Sequence, residues 1–222
     1  MIDYKDLHKF VKDLLLKIEC SKQDAELGAD VLIAAELRGI NSHGVLRLPN
    51  YIALWEAKRV NSKPNVKIVH ESPSTAVVDG DAGLGLVVAP KAMKIAIKKA
   101  KDAGTGWVAV KNSNHYGIAG YHAMMALKHD MIGMAMTNAN PLVAPTFSKD
   151  RLLGTNPVAV VVPTENQPPF VADFATTAIA RGKLEVLHKK GENAPEGFVQ
   201  DKDGNPSIDP NILTQGGAIL PL

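Results

Sequence analysis

The sequence predicts an α/β fold headed by a helical N-terminal region. Three observations carry this: apolar residues three and four apart through Leu37, short β-branched runs alternating with helical stretches from Thr75 onward, and glycines where strands end.

Asp3 is a capping residue ahead of Leu7, Phe10, Val11, Leu14 and Leu15, which share one helix face. Ser21 opens a second such stretch through Ala25, Leu27, Val31, Leu32, Ala35 and Leu37, with Asp24 where a capping carboxylate is useful. Arg38-Gly39 closes it. Asn41-Ser42-His43-Gly44 then forms a polar elbow, and Pro49 opens a third helix through Tyr51, Leu54 and Trp55. Residues 61–73 alternate and carry prolines, and Thr75 to Gly80 reads as a strand. A helix from Pro90 to Ala103 and a strand from Trp107 to Val110 follow, then a helix from Gly117 to His129. Strands are expected at 132–136, 158–162 and 170–173, and a helix at 173–185. Lys189 to Pro210, rich in Gly, Pro, Asp and Asn, reads as an exposed loop.

With 25 basic and 23 acidic residues spread along 222 positions, the chain lacks the concentrated field that grips a phosphate backbone. Nucleic acid is therefore not an expected partner. Lys94, Lys98, Lys99 and Lys101 read as a solvated helix face. Cys20 is the single cysteine, which excludes an intrachain disulfide and Cys-based zinc patterns and fits a reducing, cytoplasmic setting. The start, Met1-Ile2-Asp3-Tyr4-Lys5-Asp6, lacks the features of a signal peptide, and no apolar run is long enough to span a membrane.

Gly80, Gly83 and Gly85 follow a strand, yet Val88 stands where a dinucleotide fingerprint needs its third glycine, and Asp102 ends a helix rather than a strand. A tight turn that packs a helix on a sheet is the expectation there. The elbow is more telling, because His43, Arg47 and Tyr51 place an imidazole, a guanidinium and a phenol close together. A 2-hydroxy or 2-oxo acid needs a fixed cation, and the planar fork of Arg47 suits its carboxylate. The alternative is that Arg47 ties the elbow to a neighbouring carboxylate while His43 caps a helix. Asn112 to Gly117 sits between a strand and a helix, where α/β proteins put ligands, and its His115 suits proton transfer near neutral pH. His115, His122 and His129 recur along one helical stripe, but imidazoles two turns apart are about 10 Å apart along the axis and share no ion. No metal is expected.

Ser42-His43-Gly44 with Arg47 and Pro49, Ser113-Asn114-His115-Tyr116-Gly117, Gly154-Thr155-Asn156-Pro157 and Asp173-Phe174-Ala175 run in this order from end to end. They resemble the malate/L-lactate dehydrogenase family, which includes ureidoglycolate and L-sulfolactate dehydrogenases and cyclic-imine reductases. The resemblance implies an L-sulfolactate dehydrogenase-like three-layer α/β/α fold with a mixed sheet, distinct from the Rossmann fold. It implies a homodimer that transfers hydride between NAD or NADP and a 2-hydroxy acid, malate/oxaloacetate first among the candidates. Residues 1–74 are then expected to contribute to the substrate site, and residues 75–222 to form a cofactor-binding domain that is C-terminally incomplete, since family members continue beyond Leu222.

Carried over residue by residue, the resemblance puts catalysis on His115, with His43 as the alternative acid/base and Ser42 beside it. Arg47 and Tyr51 fall on the substrate. Cofactor contacts fall on His115, Tyr116, Gly117, Ile118 and Ala119, on Ala139, and on Asp173, Phe174 and Ala175. Ala139 stands where other members can carry serine. Alternatives are a lactate, sulfolactate or other 2-hydroxy/2-imino acid substrate, a non-catalytic dimerisation fragment, and a lyase or hydratase using His43 and His115 without nicotinamide.

Overall fold

In the computed structural model, which describes residues 3–222, the N-terminal helices start where their caps dictate. Helix α1 (Tyr4–Lys17) begins at Asp3, whose carboxylate accepts the Lys5 N–H at 2.7 Å. Helix α2 (Lys22–Leu37) begins at Ser21, whose hydroxyl accepts the Asp24 N–H at 3.1 Å. The Asp24 carboxylate, expected to serve the cap, instead pairs with Lys91 at 2.7 Å, because Ser21 already satisfies the first turn. Val11, Leu15, Val31 and Leu32 are buried between these helices and their neighbours. Each such side chain contributes about 1.5–3 kcal/mol relative to exposure.

Two 3₁₀ turns, Asn41–His43 and Val45–Arg47, lead into α3 (Leu48–Glu56), which buries Leu48 and Tyr51. Strands β1 (Lys67–Glu71), β2 (Thr75–Gly83) and β3 (Trp107–Ser113) then form a sheet in that order. It is mixed: Val78 of β2 faces Ile68 of antiparallel β1 and Val110 of parallel β3. Helix α4 (Gly85–Ala103) joins β2 to β3 and starts before the expected Pro90. The Leu84 carbonyl accepts from Val87 at 2.9 Å and Val88 at 3.0 Å, so the helix starts early and Pro90 lies inside it, where it has no N–H to give the Leu86 carbonyl.

The helix expected over 117–129 is shorter: α5 spans Ala119–Met124, followed by a 3₁₀ stretch, Met125–His129. Gly117 at φ +79° and extended Ile118 delay its start. His115 therefore precedes the helix, and the three histidines do not form one helical stripe.

Strands β4 (Gly133–Met136), β5 (Val158–Val162) and β6 (Phe170–Phe174) form a second sheet in that order. The helix expected at 173–185 begins only at Arg181, as α6 (Arg181–Lys190). Before it, the Thr176 N–H is taken by the Thr155 carbonyl at 2.9 Å and the Ala178 N–H by Leu220 at 3.1 Å, which holds the backbone out of a helix. The expected loop at 189–210 contains β7 (Val199–Gln200) and β8 (Pro206–Ser207), and β9 (Ala218–Ile219) completes the order β8-β7-β9. The turn between β7 and β8 is fixed by Asp201, whose carboxylate accepts the N–H groups of Asp203 and Asn205, each at 2.9 Å.

By packing, the chain forms two compact units, Met1–Gly133 with Val161–Val171, and Met134–Val160 with Ala172–Leu222. The division expected at residue 74 concerns function, which packing does not address. The first unit's core includes Val11, Leu32, Tyr51 and Leu86, and the second's includes Val143, Leu184, Val199 and Ile219. Among the described residues no helix is long and apolar enough to cross a membrane.

Candidate active site

The elbow after α2 is braced by an acid that the sequence reading passed over. Glu36 accepts the Val45 N–H at 2.8 Å on one carboxylate oxygen and the Asn41 side-chain amide on the other. Its carboxylate also fills the space beside Gly44, where a Cβ would overlap it. An acid in the last turn of a helix opposes the helix dipole, and that oddity was the available signal.

On this brace the functional side chains are ordered. Arg47 Nε donates to the Ser42 carbonyl at 2.6 Å, which fixes the plane of the guanidinium. The Ser42 hydroxyl lies 2.8 Å from His43 Nδ1. One helical turn beyond Arg47, Tyr51 is fully buried with its hydroxyl 2.6 Å from His115 Nδ1. The His43 and His115 rings stack with centroids 5.6 Å apart. Ser42, His43, Arg47, Tyr51 and His115 are thus gathered in one place within the first unit.

The segment carrying His115 is set by backbone packing. Where Gly85 would carry a Cβ, the carbonyl oxygens of Asn114 and His115 stand, so α4 starts directly against this segment. The expectation of a tight glycine turn holds here. Asn114 donates from its amide to the carbonyls of Ala82 at 2.9 Å and Gly83 at 3.0 Å. His122 Nε2 lies 2.8 Å from the Tyr116 carbonyl, and the two rings stack at 4.7 Å. Ile118 and Ala119 are buried.

Electrostatics follow from this packing. Burial first, then the charges of His43 and Arg47, push the His115 pKa down to about 4. His115 nevertheless keeps a solvent-exposed edge, through which a small molecule can reach it. The ring is neutral at pH 7. Burial and Arg47 also lower the His43 pKa, and burial raises that of the Tyr51 phenol, which stays protonated.

In the second unit, Asn156 Oδ1 accepts the Ala139 N–H at 3.0 Å, and a Cβ on Gly154 would overlap the Ala139 carbonyl. Through Thr155, which accepts the Thr176 N–H, the same segment is tied to the chain that follows Asp173, Phe174 and Ala175. Ala139 and Phe174 are exposed and Asp173 and Ala175 half-buried. An exposed aromatic face, small residues and a strand-end carboxylate fit the mixed apolar and polar surface of a dinucleotide. The described side chains that converge as metal ligands are His8, Glu26 and Asp30. They are already engaged, His8 by a hydrogen bond with Asp30 at 2.9 Å and Glu26 by an ion pair with Lys12.

The profile of malate/L-lactate dehydrogenases matches residues 2–222. The chain is 48% identical over 216 residues to a malate dehydrogenase of Pyrococcus horikoshii, covering 97% of this chain and 60% of that protein. It superposes on a sulfolactate dehydrogenase from Methanocaldococcus jannaschii with a TM-score of 0.91 at 46% identity, covering 99% of this chain and 63% of that one. For a crystal structure of malate dehydrogenase from Entamoeba histolytica the TM-score is 0.95 at 34% identity, covering 99% and 63% of the two chains. The chain thus spans about three fifths of the length of the curated relatives it matches.

Proposed function

The chain belongs to the malate/L-lactate dehydrogenase family, and from that membership we propose that it carries the substrate and proton-transfer residues of an NAD(P)-dependent dehydrogenase of 2-hydroxy acids. Its α/β fold, with a mixed sheet and a helical N-terminal region, is that of the sulfolactate and malate dehydrogenase structures it resembles. The observation that carries the proposal is a neutral, partly exposed His115 set beside Arg47 and His43.

In this reading residues 1–74 serve the substrate and residues 75–222 chiefly the cofactor. Arg47 takes the substrate carboxylate, and its fixed plane suits a two-point contact. His115 accepts the hydroxyl proton during oxidation and, once protonated, returns it during reduction. Ser42 and His43 orient the substrate oxygen from the stacked side of that ring, with His43 the alternative acid/base. Tyr51, expected on the substrate, is fully buried and serves the substrate side through its contact with His115. The segment 115–119, Ala139, Asp173, Phe174 and Ala175 are the proposed cofactor contacts. A bound nicotinamide supplies the hydride acceptor or donor.

Malate/oxaloacetate is the proposed pair, in keeping with the 48% identical Pyrococcus relative. Sulfolactate is the second reading, favoured by the likeness to the Methanocaldococcus protein. We place the working enzyme in the cytoplasm as a homodimer. The test is NADH and NADPH oxidation with oxaloacetate, pyruvate, sulfopyruvate and a cyclic imine. Turnover with one 2-oxo acid supports the reading and names the substrate. Silence across the panel with both cofactors overturns it in favour of a non-catalytic fragment, and turnover of a 2-hydroxy acid without nicotinamide overturns it in favour of a lyase.

A further inference from the structure

We infer that Tyr51 is a positioning residue: its hydroxyl, held against Nδ1 of His115, sets the imidazole so that Nε2 is the nitrogen that exchanges the substrate proton. This rests on the proposed dehydrogenase reading.

The geometry begins with burial. Tyr51 has no exposed surface, so its phenol needs an internal partner, and the partner 2.6 Å away is His115 Nδ1. The Gly117 N–H also approaches Nδ1, at 3.4 Å. The Gly117 N–H can meet only a bare Nδ1, whereas the Tyr51 oxygen can accept from an Nδ1–H; with that hydrogen given to Tyr51, Nε2 keeps its lone pair for the substrate. Four groups bear on this ring: His43 stacked against it, Arg47 on the elbow, Tyr51 beneath and the Gly117 amide. The first two disfavour a positive imidazolium.

The two Nδ1 contacts are not equivalent. An amide only donates, whereas a hydroxyl both donates and accepts. When the substrate hydroxyl gives its proton to Nε2, the ring must carry hydrogen on both nitrogens. The C2 hydrogen leaves with its electron pair as hydride to the nicotinamide, and the C–O bond becomes C=O. At that moment the Nδ1–H needs an acceptor, and the Tyr51 oxygen is in place to be it. With Phe at position 51, Nδ1 would face only the Gly117 N–H. That arrangement favours a bare Nδ1 and a hydrogen on Nε2, the tautomer that cannot take a proton there.

The experiment compares wild type, Tyr51→Phe and a protein carrying 3-fluorotyrosine at position 51, which keeps the shape and acidifies the phenol. The His115 ring nitrogens are followed by long-range ¹H–¹⁵N spectra, and turnover by nicotinamide absorbance. We expect Tyr51→Phe to move the ring toward the Nε2–H tautomer and to lower kcat for oxidation about 10- to 100-fold, with KM and nicotinamide binding nearly unchanged. The fluorinated protein should shift the pH profile of kcat without abolishing turnover. Unchanged ring-nitrogen shifts in Tyr51→Phe, or a pH profile indifferent to fluorination, would overturn the inference. A wild type silent with every substrate overturns the dehydrogenase reading instead, while the ring-nitrogen spectra still report on the hold of Tyr51 on Nδ1.

Discussion

The carboxylate of Glu36 occupies the space that a side chain at Gly44 would need, and the same carboxylate holds the Val45 N–H. The elbow carrying Ser42, His43 and Arg47 therefore depends on a missing Cβ as much as on a present acid. Gly44→Ala should push Glu36 aside at a cost of about 1–3 kcal/mol and displace the elbow. Thermal unfolding and KM measured on the same variant check this: both should worsen together, and a normal KM would show that the elbow tolerates the shift.

Arg47→Ala should raise the KM for the 2-hydroxy or 2-oxo acid by roughly 100-fold or more, the scale of about 3 kcal/mol for a charge-assisted contact, with a smaller effect on kcat. Arg47→Lys should recover little, since an ammonium cannot reproduce the plane that the Ser42 carbonyl fixes. Steady-state kinetics of the two variants decide the point, and full rescue by lysine would argue against a two-point contact.

His115→Ala should lower kcat by roughly 10²- to 10⁴-fold, with a far smaller change in nicotinamide fluorescence titrations, since the other proposed cofactor contacts remain. The pH dependence has a definite sign. Oxidation needs the neutral ring, so its kcat/KM should stay level near neutrality and fall as pH drops toward about 4. Reduction needs the protonated ring and should weaken as pH rises. A carboxylate bound by Arg47 offsets part of the positive charge around the ring, so in the substrate complex the transition should move upward. An acid limb for oxidation that survives unchanged in His115→Ala would point to His43.

His122 offers a stability test separate from activity. It is buried, Nε2 faces the Tyr116 carbonyl, and among the described residues Nδ1 has no hydrogen-bond partner. Burial lowers its pKa to about 4 from an ordinary 6.5. Because the folded pKa lies below the unfolded one, its contribution is complete above pH 6.5 and is lost as pH falls toward 4. The loss is about 3 kcal/mol over that window. Denaturant unfolding at a series of pH values should show it, and His122→Gln, which does not titrate there, should flatten the slope.

The sequence was most legible where one local rule decides the outcome. Asp3 and Ser21 cap as their side chains require, and Val158–Val162 forms a strand from its β-branched run. It was least legible where distant partners intervene. Nothing local to Thr176 and Ala178 announces that Thr155 and Leu220 will take their N–H groups, and the expected helix there gave way. Candidate site residues such as Arg47 and His115 could be picked out by their chemistry, and the fold brings them near one another. Their supports could not, because the role of Glu36 depends on Gly44 and Val45 folding back onto it, and Tyr51 shows its bond to His115 only once residues far apart in the chain have met.

The meeting of Gly85 with the carbonyls of Asn114 and His115 is made of main chain on one side and empty space on the other. A contact of that kind stores no information in side-chain identity, so substitutions at neighbouring surface positions leave it intact. In the proposed enzyme, selection for a new substrate could then act on the elbow while the segment carrying His115 stays in place, with residue 85 the fixed point around which such drift turns.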